Sequence, residues 1–152
     1  MNIEFIDIPD RTFIGRSLTL PLQSHDVFAL WQQFRKEQIQ AGIIDVELIS
    51  MQSYHEWPPT TAITHVACLE KKQYQEYPKD WCEYFIKGGV YATFEYSGGR
   101  SEFPSLLKHV ILEILPTTNY SFDPSRNQFQ IMPSEYSLSD PQASESVYIP
   151  VL

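Results

Sequence analysis

Apolar and polar residues alternate in part over residues 3–8 and again over 12–20. A period of two is the mark of a strand with one buried face. Pro9-Asp10 punctuates the first run and Pro21 stops the second. The period then lengthens. Val27, Leu30, Trp31 and Phe34 recur at helical spacing, and Gln32, Gln33, Arg35 and Lys36 fall on the opposite face. Ser24 reads as the N-cap of this helix, with Asp26 in a first turn where the helix dipole favours negative charge. The helix is expected to end near Ala41, with Gly42 as its stop. Strands over 46–54 and 62–69 follow, separated by a loop whose Pro58 and Pro59 exclude regular pairing. Residues 70–80 are polar and rich in Tyr and Lys, and read as a connector between two halves of the chain, about 1–75 and 76–152.

The second half repeats the order. A strand over 81–86 leads into Gly88-Gly89, which reads as a tight turn because glycine reaches positive φ without strain. A returning strand over 90–96 ends at Gly98-Gly99. Ser101 stands as the cap of a second helix, with Pro104 tolerated in its first turn. Phe103, Leu106, Leu107, Val110, Ile111 and Ile114 form one apolar stripe, and Pro116 stops it. Strands over 128–132 and 147–151 close the chain around a Ser-, Pro- and acid-rich loop, 133–146. The order strand-strand-helix-strand-strand thus occurs twice, a duplication of pattern with little residue identity. The class is α+β: each helix must lay its stripe on one face of its strands. The opposite sheet faces, or the seam between the units, are left to form a cleft, a common setting for a ligand.

Composition narrows the function. The chain has 152 residues, 43% hydrophobic and 14% aromatic, which excludes disorder. A chain of this length buries roughly 70% of its unfolded surface. The net charge of -8 argues against nucleic acid and against an anionic membrane surface. The start of the chain carries Glu4 and Asp7 rather than a basic leader, and no apolar stretch approaches a membrane span. Two cysteines, Cys68 and Cys82, fit a reducing compartment, so a cytoplasmic protein is expected. His25, His55, His65 and His109 are scattered. His65 and Cys68 are three apart on a strand and point to opposite faces, so no metal or cofactor is expected. No Gly-x-Ser-x-Gly elbow is present, and Gly98-Gly99-Arg100-Ser101 is explained by a turn and an N-cap.

Several pieces in order carry a family resemblance. The stretch Gly88-Gly89-Val90-Tyr91-Ala92-Thr93-Phe94-Glu95-Tyr96-Ser97-Gly98 resembles the strand-turn signature of the GyrI-like small-molecule-binding domains, also called AraC-type effector-binding domains. Ile114-Leu115-Pro116, Tyr120 to Arg126, Phe129-Gln130-Ile131-Met132, Asp140-Pro141 and Glu145 to Val151 follow in the family's order. Phe13-Ile14-Gly15 and Ile49 to Tyr54 fit more loosely. The resemblance implies a duplicated fold of strand-helix-strand-strand units with antiparallel sheet and a cleft between the halves. One of the two strands before each helix would then be an extension of its neighbour. It also implies hydrophobic, often cationic ligands, bound by sensor domains of transcription regulators or by stand-alone proteins. Other relatives modulate DNA gyrase or hydrolyse alkylating compounds. The absence of a helix-turn-helix segment points to a stand-alone member. The resemblance places a cleft-facing glutamate at the position of Gln130. A neutral amide hydrogen-bonds but brings no charge. That counts against strong cation selection there, and against hydrolysis through that group.

Alternation sorts the faces. Ala92 and Phe94 should face the helix, and Tyr91 away from it. Phe129 and Ile131 suit the core, and Gln130 and Met132 share the other face. Ser50, Gln52 and Tyr54 form the more polar set of their strand. The expected ligand is a small apolar or aromatic molecule, cationic in the resemblance, held by Tyr54, Tyr91, Gln130 and Met132. Trp57 is read either as a lid or as a loop anchor, and Glu135 and Glu95 as the nearest substitutes for the missing glutamate. Trp31 is assigned to the core. The rival readings are a hydrolase of reactive xenobiotics and an interaction module for DNA gyrase or a separate regulator.

Overall fold

Alternating stretches become strands and the two 3.6-period stretches become helices. The computed structural model describes residues 2–24, 26–97, 102–134 and 143–152. In chain order these form β1 (Glu4–Ile8), β2 (Arg11–Pro21), α1 (Phe28–Gln40), β3 (Leu48–Tyr54) and β4 (Ala62–Glu70). Then come β5 (Cys82–Ile86), β6 (Gly89–Tyr96), α2 (Phe103–His109), β7 (Gln128–Met132) and β8 (Glu145–Pro150). α2 runs on into a wider π turn, Val110–Ile114, and a 3-10 turn, Leu115–Thr117, which holds Pro116.

The sheet order is β1-β6-β8-β7-β3-β4-β2-β5, and every pairing is antiparallel. β2-α1-β3-β4 and β6-α2-β7-β8 are equivalent units, each with its last strand between the other two. They join through β3 and β7, where Ser50 pairs with Gln130 and Gln52 with Gln128. The strand leading into each unit is not an extension of its neighbour. The leading strands are exchanged: β1 pairs with β6, and β5 with β2. The expected Gly88-Gly89 hairpin is therefore absent, since β5 and β6 lie far apart in the sheet order. The glycines serve a crossing instead. A Cβ on Gly88 would meet the Ile8 carbonyl oxygen at 2.5 Å, and its N–H donates to Asp10 Oδ1 at 2.7 Å.

α1 starts later than Ser24. Its N-cap is Val27, and Asp26 Oδ1 accepts from the Phe28 N–H at 3.1 Å. Its end is as expected: Gly42 takes φ 74°, and the Ile43 N–H donates to the Gln38 carbonyl at 3.1 Å. This is a left-handed helix stop. Ser101, Gly98-Gly99 and most of the expected 133–146 loop lie outside the described residues.

Each helix covers its own unit. Leu30 and Phe34 pack on Ile14, Leu48 and Ala67, and Leu107, Val110 and Ile111 pack on Ala92, Phe94 and Val147. The far face of the sheet is a third core, containing Phe13, Met51, Val66, Tyr91 and Phe129. β2 and β7 are three places apart, about 14 Å in a flat sheet. Yet the Phe13 and Phe129 ring centroids are 5.4 Å apart. The sheet is therefore curled, with this face inside. Among the described residues no helix is long and apolar enough to cross a membrane.

α1 is tied to β2 by a charged contact. Arg16 Nη2 donates to Glu37 Oε2 at 2.8 Å and Arg16 Nε to Glu37 Oε1, while Trp81 Nε1 donates to Glu37 Oε1 at 2.9 Å. The Arg16 bond, with help from Trp81 and Gln33 and against the effect of burial, lowers the Glu37 carboxyl to about 2. A depressed carboxyl stabilises the fold above its unfolded value, near 4.5, and that share is lost as pH falls through about 2. Glu37→Gln should lower stability at neutral pH and flatten the decline between these limits. Urea denaturation across that range checks it; parallel slopes would show that Glu37 is not a main contributor.

Candidate functional site

Because each helix sits over its own strands, the β3–β7 seam has no helix above it. The result is a cleft of about 1010 Å³ between α1 and α2. Trp31 and Phe28 form one wall, and Phe103, Leu107 and Ile111 the other. The size falls at the upper end of pockets for drug-sized ligands, about 300–1,000 Å³.

The floor follows from strand alternation. Ser50, Gln52 and Tyr54 on β3 and Gln128, Gln130 and Met132 on β7 all line the cleft. The carboxamides of Gln52 and Gln130 bond reciprocally at 3.1 and 3.1 Å. Gln128 Nε2 donates to Gln52 Oε1 at 3.2 Å, and Gln52 Nε2 to Ser50 Oγ at 3.1 Å. Gln128 Oε1 is buried without a hydrogen-bond partner. The floor is thus a neutral amide ladder with little spare capacity at Gln130, which is 2% exposed.

Tyr54 and Trp57 close one end. Their ring centroids are 5.0 Å apart, and Trp57 lies 4.5 Å from Phe122. Trp57 is anchored on Phe122, and it also lines the cleft and is 36% exposed. Burial pushes the Tyr54 hydroxyl well above its usual range, further from the phenolate form.

Of the expected site residues, Tyr54, Trp57, Gln130 and Met132 come together here. Tyr91 does not. It is fully buried in the far-face core, its ring 5.7 Å from Phe129 and beneath the Arg126 guanidinium. Alternation correctly turned Tyr91 away from the helix, but the curled sheet closes that face. Glu135 lies outside the described residues. Glu95 is exposed and accepts from Ser146 Oγ at 2.6 Å. Trp31, assigned to the core, is half-buried and lines the cleft as well as packing on Phe34. Gln128, Arg35, Phe103 and Lys108 were not singled out as site residues. The signal for Gln128 was its shared parity with Gln130 and Met132. Among the described residues no group of three or more His, Cys, Asp or Glu is placed to hold a metal.

Two strand-helix-strand-strand units, joined edge to edge beneath an aromatic cleft, define a duplicated α+β protein. The chain belongs to the family of GyrI-like small molecule binding domains, whose model matches residues 1–152. Its fold is similar to that of SAV2435 solved with tetraphenylphosphonium, at 12% identity over 100% of this chain and 94% of that one, with a TM-score of 0.72. It is also similar to the EcmrR C-terminal domain, at 8% identity over 99% and 97% with a TM-score of 0.73. A hydrolase from Listeria innocua shares the fold at 10% identity over 99% and 91%, with a TM-score of 0.64. No curated protein matches this sequence significantly.

Proposed function

We propose that this chain binds a small, largely apolar or aromatic molecule in the cleft over the β3–β7 seam. The observation that carries the reading is the 1010 Å³ cavity walled by Trp31, Trp57, Tyr54 and Phe103. Such walls offer flat faces for stacking and apolar area for burial. Met132 supplies an adaptable surface at the floor. Tetraphenylphosphonium, the molecule bound by SAV2435, is itself a cluster of aromatic rings.

Hydrolysis is the second reading, favoured by the fold likeness to the Listeria innocua hydrolase. Gln130 at the seam is an amide, and burial keeps Tyr54 from the phenolate form, which leaves Glu145 and His65 as the other acid and base in the described lining. Binding without turnover is the better account.

The test is a titration with the neutral dye N-phenyl-1-naphthylamine. Trp57→Ala should weaken binding about tenfold, consistent with losing one stacked aromatic and its buried area. Phe85→Ala, on edge strand β5 and away from the cleft, should change nothing. A protein that takes up no dye overturns the reading.

A further inference from the structure

Charge distinguishes this cleft. α1 contributes Arg35 to its lining and α2 contributes Lys108. Arg11, Arg16, Lys71 and Arg126 each form an ion pair with a carboxylate, but among the described residues neither Arg35 nor Lys108 does. Arg35 Nε is buried and has no hydrogen-bond partner. Glu145 is the carboxylate among the described lining residues, and His65 the remaining titratable base. The seam itself carries the neutral Gln52, Gln128 and Gln130 ladder. A protein of net charge -8 thus places two cations, without carboxylate partners among the described residues, on the two helices that wall this cleft.

An unpaired guanidinium and an unpaired ammonium beside an apolar cavity attract an anion, and a guanidinium fork suits a planar or tripodal oxyanion. We propose that the cleft takes an amphipathic monoanion: an aromatic body against the Trp and Phe walls, and one carboxylate or sulfonate held by Arg35 and Lys108. This rests on the cleft reading above and adds the sign of the ligand's charge.

Two matched probe pairs test it. 1-Anilinonaphthalene-8-sulfonate differs from N-phenyl-1-naphthylamine by its sulfonate, and tetraphenylborate matches tetraphenylphosphonium in shape with opposite charge. The anion of each pair should bind at least tenfold more tightly, and the gap should narrow at high salt. In the Arg35→Gln/Lys108→Gln variant the affinity ratio should fall towards one, and Arg35→Lys/Lys108→Arg should restore most of it. Circular dichroism confirms that the variants are folded. Equal affinities within each pair, or a preference for tetraphenylphosphonium, overturns the anion proposal and leaves the cleft reading standing. If none of the four probes binds, both fail.

Discussion

Tyr91→Ala is expected to cost about 3–5 kcal/mol of folding stability, the range for a large buried aromatic, while the folded fraction keeps its affinity for aromatic dyes. The ring is fully buried, 5.7 Å from Phe129, with the Arg126 guanidinium 4.8 Å from its centroid. Truncation opens a cavity in the far-face core and removes the face on which the guanidinium rests. The hydroxyl contributes less. It donates to the Lys87 carbonyl at 3.2 Å, and Tyr91→Phe should cost about 1 kcal/mol. Urea denaturation combined with dye titration separates the two roles. A variant of near-native stability with weakened dye binding would return Tyr91 to the cleft wall.

Tyr91 also marks where sequence reading stops. A period of two states which residues share a face, and it grouped Ser50, Gln52 and Tyr54, and Gln130 with Met132, as the structure has them. It does not state which strand comes next. β5 looked like the hairpin partner of β6 because short connections usually join neighbours, and the resemblance made β1 an extension of its neighbour. Their exchange shows only in pairings such as Ile6 with Tyr91 and Phe13 with Tyr84. Gly88-Gly89 carries a turn signal, yet a Cβ on Gly88 would meet the backbone of Ile8, Pro9 and Asp10, almost eighty positions earlier, and one on Gly89 the Arg126 guanidinium. Whether the face holding Tyr91 meets solvent or core depends on sheet curl, which alternation does not encode. Arg35 falls on the polar face of its helix, which normally meets water, and Lys108 carries no sequence signal of its own. The cleft exists only once two helices flank a seam.

Removing the Asp123 carboxylate should be about as damaging as removing the Tyr91 ring, and should reach the cleft as well. The Asp123 and Arg126 side chains are 7% and 10% exposed, with Arg126 Nε donating to Asp123 Oδ2 at 2.7 Å. Arg126 Nη2 also donates to the Val90 and Val151 carbonyls at 3.1 and 2.7 Å, clamping β6 to the end of the chain beyond β8. Burial pushes the Asp123 carboxyl up, but bonds from Arg126 and Ser125 outweigh it and hold it below its usual range. Its contribution is therefore present above about pH 4 and lost in stronger acid. Asp123→Ala leaves a buried guanidinium without its counter-ion, a loss of about 3–5 kcal/mol. Asp123→Ala/Arg126→Met should recover much of this, because an apolar replacement of both partners leaves no stranded charge. A double-mutant cycle measures that coupling; additive losses would mean the pair does not act as a clamp. Phe122 connects the clamp to the cleft. It adjoins Asp123, bridges to Val151, and holds Trp57 with ring centroids 4.5 Å apart. Loosening the clamp frees that support. Asp123→Ala should therefore weaken dye binding several-fold in the folded fraction, where Tyr91→Ala does not.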